Sequence, residues 1–232
     1  MDRSKSMNEV NKMAALIVAA GASHRMRGIN KLFAPLGDKP LLAWCVETCQ
    51  RCSLIGQIVL VLNRKDLARG RELGERRCWP KVTVCPGGPR RQDSVREGLK
   101  QLADCDLVMI HDGARPFLTL ALIENGFRLA DRTGAAVAAV PVKDTIKLVG
   151  DDRLIGTTLQ RDRLWAAQTP QIFSLDVITK AYESLAVEVT DDGAAVELLG
   201  SEVHLYMGDH NNIKVTSPGD MSLARIIAEG NS

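Results

Sequence analysis

The chain has 232 residues, 45% of them hydrophobic and 25% charged, with a formal net charge of +2. That length suits one α/β domain with a sizeable core and is short for two. The small charge excess excludes a general nucleic-acid binder, which carries a larger basic surplus. No run of about 18 apolar residues occurs, so no membrane span or membrane association is expected. Residues 1–13 lack an apolar signal core and read as a disordered tail, residues 14–230 as a single domain, and a cytoplasmic location is expected.

The first element, AALIVAA (residues 14–20), is a continuous apolar run that ends at Gly21, as a strand buried on both faces does. A helix follows over about residues 39–52, with Asp38 as its cap and Pro40 in its first turn. Its three cysteines, Cys45, Cys49 and Cys52, have the C-x3-C-x2-C spacing that can hold three corners of an iron–sulfur cluster. They also share one helical face with Leu41, Leu42 and Val46, which favours burial as small hydrophobes. QIVLVLN (57–63) is a second buried strand and KDLARGRELGE (65–75) a short helix. KVTVCPGG (81–88) is a third strand, stopped at Pro86, and QDSVREGLKQLA (92–103) a helix. DLVMIHDGARP (106–116) is a fourth strand with polar residues at its end. TLALIENGFRLADRTG (119–134) is a helix with a glycine stop, and AAVAAVPV (135–142) a strand. This alternation is the βαβ rhythm of a mostly parallel sheet covered by helices on both faces.

The rhythm breaks at residues 142–160, which alternate with period two around Gly150-Asp151-Asp152 and read as a β-hairpin. Its strands have few large hydrophobes, so it forms no core alone and reads as an edge arm or a piece that packs on a partner. Two helices (about 176–185 and 191–199) and the strand EVHLYMG (202–208) come next. The segment 211–230 supplies a strand and a last helix, with Ser217 or Asp220 near its start.

Ligands of a parallel α/β sheet gather off the carboxyl ends of its strands. Those ends carry Gly21, Arg25 and Lys31; then Gly87, Gly88, Arg90, Arg91 and Ser94; then Asp112 and Arg115; then Lys214. A cation on each of four loops, with glycine on several of them and one carboxylate, describes an anion site. Glycines let backbone N–H groups approach phosphate oxygens, and several cations suit a triphosphate. Neither G-x-x-x-x-G-K-[ST] nor a G-x-G-x-x-G after the first strand is present. G-x-S-x-G and H-E-x-x-H are absent too. An attacking group that is already an anion, such as a phosphate, requires no general base, and the catalyst then supplies positioning and charge stabilisation. A non-catalytic nucleotide-binding module would use the same rim.

In order along the chain stand AAGASHRM with Lys31, GGPRRQDSV, HDGARP, VKDTIK, TPQIF, TDDGAAVE and NNIKVT. With these the sequence resembles the 2-C-methyl-D-erythritol 4-phosphate cytidylyltransferases of the non-mevalonate isoprenoid pathway. The resemblance implies a Rossmann-like nucleotidyltransferase fold with a protruding β-arm, at about 142–162, that interlocks two subunits of a homodimer. It implies transfer of CMP from CTP to the acceptor phosphate, with Mg2+ held mainly by the CTP phosphates and no metal ligands from the protein. A cytidylyltransferase for another polyol phosphate, such as ribitol 5-phosphate, would share the nucleotide loops.

Carried over by position, the resemblance makes Arg25 and Lys31 the pair that stabilises the transition state. Ala19, Ala20, Gly21, Ala22, Gly88, Arg91, Ser94 and Gly113 become nucleotide contacts. Asp112, Arg115, Thr145, Arg161, Thr169, Thr190 and Lys214 become contacts to the acceptor, with Thr145 and Arg161 reaching the partner's site from the arm. The chain departs from the family pattern at Ser23, Pro89 and Gly113.

Overall fold

The computed structural model describes residues 12–21 and 31–230. The predicted tail through residue 11, and Ala22, Ser23 and Arg25 of the first loop, lie outside the described residues.

The strands and helices, in chain order, are β1 (Met13–Ala19), β2 (Pro35–Leu36), β3 (Lys39–Pro40), α1 (Leu41–Arg51), β4 (Ile55–Leu62), α2 (Leu67–Arg76), β5 (Val82–Pro86), α3 (Arg91–Leu99), β6 (Leu107–Asp112), α4 (Leu120–Thr133), β7 (Ala135–Pro141), β8 (Lys147–Val149), β9 (Ile155–Thr158), β10 (Trp165–Ser174), α5 (Leu175–Ser184), α6 (Asp192–Leu198), β11 (His204–Met207) and α7 (Pro218–Gly230). Among the described residues seven strands form one sheet in the order β11-β7-β10-β6-β1-β4-β5. β10 runs antiparallel to both of its neighbours, and the other pairings are parallel.

The period-two rule sorts the side chains of β1. Met13, Ala15, Ile17 and Ala19 join a core beneath α1, α4 and α7, whereas Leu16, Val18 and Ala20 join a second core beneath α3, α5 and α6. Burial on both faces is what the unbroken apolar run of β1 requires. A fully buried Leu or Ile contributes roughly 1.5–3 kcal/mol, and β1 and β4 supply several of them. α4 ends as its sequence predicts: Gly134 takes the left-handed conformation (φ 82°) and its N–H donates to the Ala130 carbonyl.

Three expectations need correction. α1 starts with Pro40 in the N-cap position and no side-chain cap. Asp38 instead helps make the turn between β2 and β3, after Gly37 at φ 63°. No strand forms between residue 211 and α7; a single backbone bond, Val215 N–H to the Ala114 carbonyl at 2.8 Å, ties that segment to the rim. α7 itself begins with a reciprocal cap. Ser217 Oγ accepts from Asp220 N–H, Asp220 accepts from Ser217 N–H, and Pro218 fills the first turn.

The cysteines settle into the apolar core: Cys45 and Cys49 lie within the buried face of α1 and Cys52 just past its end. Burial pushes the Cys45 thiol up to about 12, the opposite of what a thiolate ligand needs. Among the described residues no group of three His, Cys, Asp or Glu side chains could hold a metal ion.

The third correction is β10 itself, a strand that the sequence does not announce. Its centre carries Gln168, Thr169, Pro170 and Gln171, a composition that reads as loop. Its pairing with β7 shifts register between Ala167 and Gln171, and across that irregularity three polar side chains turn inward and are buried. The arm is as expected: β8 and β9 form a separate two-stranded sheet.

Candidate active site

The carboxyl ends of β1, β5 and β6 converge with residues 214–216 on a cleft of about 250 Å3. Ala19, Ala20, Gly21, Lys31, Gly88, Arg91, Ser94, Asp112 and Lys214 line it, as the sequence predicts, together with Pro89, Arg90 and Thr216. Close approach explains the paired glycines after β5. A Cβ on Gly87 would lie 2.4 Å from the Ala20 Cβ, and one on Gly88 would lie 2.4 Å from the Asp93 Cβ. Ser94 fixes this loop: its hydroxyl oxygen accepts from Gly88 N–H at 3.2 Å and lies 3.1 Å from the Arg90 carbonyl.

Asp112 is the electrostatic centre. It ends β6 in a buried position. Its carboxylate meets Lys214 Nζ at 2.7 Å, Arg91 Nε at 3.3 Å and Arg115 Nε at 3.7 Å. Burial alone would raise its pKa, but Arg91, Lys214 and Arg115 outweigh that and hold the carboxyl well below the usual range. Arg115 is itself positioned by donating Nη1–H to the Asn212 carbonyl at 2.6 Å.

Behind the carboxylate lies a neutral relay. His111 Nε2 is 3.0 Å from the Arg115 carbonyl, which can only accept, so Nε2 carries the proton. The Thr169 hydroxyl then donates to His111 Nδ1 and accepts from Asp112 N–H at 3.0 Å. Burial, first, keeps His111 neutral and lowers its pKa to about 4. Thr169 therefore uses its one proton inside the protein; it is buried and backs Asp112 without lining the cleft.

A second carboxylate backs the nucleotide side. Asp192, 0% exposed, receives both Nη groups of Arg91, at 3.0 and 2.7 Å, and the Tyr182 hydroxyl at 2.6 Å. Gln171 Oε1 accepts from the backbone N–H groups of Asp192 and Gly193 and so seats the start of α6. Sequence reasoning missed Asp192, Tyr182 and Gln171. The signal was present for Asp192, an acid in the first turn of a helix within TDDGAAVE.

Other predicted site residues are elsewhere. The Gly113 N–H donates to the Val18 carbonyl at 2.9 Å, which ties β6 to β1 rather than facing the cleft. Thr145 and Arg161 are exposed on and after the arm, where Arg161 Nη1 donates to the Lys143 carbonyl. Thr190 is exposed, and it is Asp191 that caps α6, through Ala194 N–H.

A largely parallel sheet whose carboxyl rim gathers glycine-built turns, several cations and one carboxylate defines a Rossmann-like α/β nucleotidyltransferase. A family model described as 2-C-methyl-D-erythritol 4-phosphate cytidylyltransferase matches residues 13–229. The chain belongs to that family and is an enzyme of the nucleotidyltransferase class. The family member from Dehalococcoides mccartyi is 44% identical over 93% of this chain and 96% of its own, and that from Clostridium novyi is 40% identical over 95% and 98%. Among solved structures, 4-diphosphocytidyl-2C-methyl-D-erythritol synthase from Anaerococcus prevotii superposes with a TM-score of 0.85 at 29% identity. It covers 94% of this chain and 96% of its own. The cytidylyltransferase from Thermus thermophilus gives 0.77 at 28% identity, over 94% and 99%.

Proposed function

We infer that this enzyme transfers the cytidylyl group of CTP to 2-C-methyl-D-erythritol 4-phosphate, in isoprenoid precursor biosynthesis, by direct attack of the acceptor phosphate. An acceptor phosphate oxygen forms a bond to the α-phosphorus as the bond to the pyrophosphate oxygen breaks. Pyrophosphate leaves with that electron pair, and the product is 4-CDP-2-C-methyl-D-erythritol. The attacking atom is already anionic, so no proton is removed from it.

The observation that carries this reading is Asp112 ringed by Lys214, Arg91 and Arg115 beside the glycine-built loop after β5. Lys31 and Arg25 stabilise charge at the α-phosphate. The backbone of residues 19–22, with Gly88, Arg91 and Ser94, takes the nucleotide. Asp112, Arg115 and Lys214 take the acceptor, with Thr169 behind Asp112, and Lys214 holds its phosphate for attack. The donor set suits a Mg2+ ion that arrives on the triphosphate, because Asp112 is already paired with three cations and holds no spare charge for a metal of its own. Bound there, Mg2+ neutralises phosphate oxygens.

The arm supports a homodimer in which Thr145 and Arg161 serve the partner's site. Leu148, Leu154 and Ile155 are 59%, 71% and 57% exposed on a two-stranded ribbon with no core of its own. Cytoplasmic residence fits a chemistry that uses CTP and a phosphorylated acceptor. No helix among the described residues is long and apolar enough to cross a membrane.

The deciding experiment incubates the purified protein with CTP, MgCl2 and either 2-C-methyl-D-erythritol 4-phosphate or ribitol 5-phosphate, and follows pyrophosphate release. Faster turnover of the methylerythritol phosphate is expected. Faster turnover of ribitol phosphate would refute the acceptor assignment.

A further inference from the structure

Arg91 reaches the cleft from the first turn of α3, and its side chain is set from behind. A guanidinium has five N–H donors in a fixed planar fork. Nε–H points at Asp112 (3.3 Å), and one N–H from each Nη is taken by Asp192. Two donors are left over, on the outward edges of the fork, and Arg91 lines the cleft. Which way those two point depends on the plane of the guanidinium, and Asp192 sets that plane by holding both Nη groups at once.

Asp192 is held in turn. Its Oδ1 accepts the Tyr182 hydroxyl at 2.6 Å, and its backbone is pinned by Gln171. Tyr182 is buried among Val95, Ile178 and Val196 of the second core. Its carbonyl accepts from Arg96 at 3.1 and 3.0 Å, and the Arg96 guanidinium also stands over its ring. Arg96 is on α3, as Arg91 is. The contacts therefore close a ring: α3 through Arg91 to Asp192, on to the Tyr182 hydroxyl, and from the Tyr182 carbonyl back to α3 through Arg96. A buried hydroxyl is costly when left unpaired; here it is satisfied by a carboxylate with no access to water, and a fully satisfied buried network of this kind fixes the geometry of its members.

We propose that Tyr182 is a positioning residue for nucleotide binding: its hydroxyl fixes the carboxylate of Asp192, and Asp192 fixes the fork of Arg91 that faces CTP. The proposal rests on the reading of Arg91 as a nucleotide contact. Removing the hydroxyl leaves the ion pair and the aromatic packing in place but frees Asp192 to rotate, so the two outward donors of Arg91 lose their aim.

The test is a double-mutant cycle read by equilibrium dialysis of labelled CTP with MgCl2, without acceptor, in wild type, Tyr182→Phe, Arg91→Gln and the double variant. Tyr182→Phe is expected to weaken CTP binding by about threefold to tenfold, a fraction of what a hydrogen bond to a charged group supplies. In the Arg91→Gln background the same change is expected to have no further effect, because the hydroxyl acts only through Arg91. KM for 2-C-methyl-D-erythritol 4-phosphate in Tyr182→Phe is expected to stay within about twofold of wild type, as for loss of an interaction confined to the other substrate. Thermal melts of all four proteins check folding. If Tyr182→Phe is unstable, Asp192→Asn is compared with Asp192→Asn carrying Tyr182→Phe, and the added loss of the hydroxyl is expected to leave CTP binding unaltered because the carboxylate it fixes is gone; a further loss would overturn the proposal.

Losses that simply add across the cycle, or an equal rise in both substrates' constants, would overturn the proposal and mark Tyr182 as a packing residue. Unchanged CTP binding in Arg91→Gln would overturn the nucleotide reading of Arg91 and the proposal with it. Wild type that binds CTP yet fails to release pyrophosphate with the methylerythritol phosphate would refute the acceptor instead.

Discussion

Lys214 Nζ lies 2.7 Å from Asp112 Oδ2, and the two partners differ sharply in environment: the lysine side chain is 42% exposed, whereas the carboxylate is buried. The carboxylate keeps its charge through Arg91 and Arg115 as well, so it does not depend on the lysine alone. Asp112 thus holds a half-exposed ammonium in the lining of the cleft, where an arriving phosphate can share it.

Lys214→Ala is therefore expected to raise KM for the acceptor by about 10- to 100-fold, the range of a charge-assisted contact, with KM for CTP little changed. Stability should fall by less than about 1 kcal/mol, since a half-exposed pair contributes little. Steady-state kinetics with each substrate varied in turn, and a denaturant melt, check both parts. Asp112→Asn should behave differently and cost about 3 kcal/mol, because it leaves the largely buried Arg115 without its counter-charge.

Acid should weaken the fold in two steps. His111 is neutral in the fold with a pKa lowered from 6.5 to about 4. Between those values the unfolded chain binds the extra proton, so stability falls as pH drops through that window, by up to roughly 3 kcal/mol. Asp112 is lowered from 3.8; its contribution is present above that value and is lost only as pH falls further. Urea melts at pH 7 and pH 4.5 should show the first loss in wild type and a much smaller one in His111→Gln. An equal slope in both would remove His111 as its source.

The parts of this protein that were legible in the sequence are those whose cause is local. β1 declares itself by an apolar run and α4 by its periodicity and its Gly134 stop. Lys31, Gly88, Arg91, Ser94, Asp112 and Lys214 declare themselves by following a strand or by chemistry out of place on a rim. What was not legible depends on distant partners. Asp192 meets Arg91 across 101 residues of chain, and Thr169 meets His111 across 58. β10 hides for the same reason: Thr169 and Gln171 are polar because they brace the site and Gln168 because it holds the turn at Asp209, and that polarity masks the strand. Asp38 misled because a good capping residue was needed instead by the turn after Gly37.

At the α-phosphate, Lys31→Ala and Arg25→Ala are each expected to lower kcat by about 100- to 1,000-fold, as for loss of an oxyanion donor, while CTP affinity falls less than about tenfold. Lys31 lines the cleft. Single-turnover rates and equilibrium dialysis separate the two quantities. Equal losses would make these residues ordinary binding contacts.

Cys45→Ala, Cys49→Ala and Cys52→Ala should leave the protein colourless and its kcat/KM within about threefold of wild type, with a stability cost near 1 kcal/mol each for the small cavity left. The thiols are packed in the core with Leu41 and Val46 and do not reach the cleft. Visible absorption in anaerobically purified wild type, lost on substitution, would instead restore the iron–sulfur reading.

The arm gives the last prediction. Leu154 and Ile155 stand at and just after the tip of a ribbon whose strands are exposed along their length. Side chains of that size left in water forgo roughly 1.5–3 kcal/mol apiece relative to burial, and a second copy of the chain is the partner proposed to cover them. Light scattering coupled to size exclusion should give a dimer for wild type and a monomer for Leu154→Asp with Ile155→Asp. The monomeric variant should keep its melting temperature within a few degrees if the domain's own cores hold it. Its kcat should fall steeply, because Thr145 and Arg161 then reach no partner site. Monomeric wild type, or a monomeric variant with full activity, would show that each subunit builds its site alone.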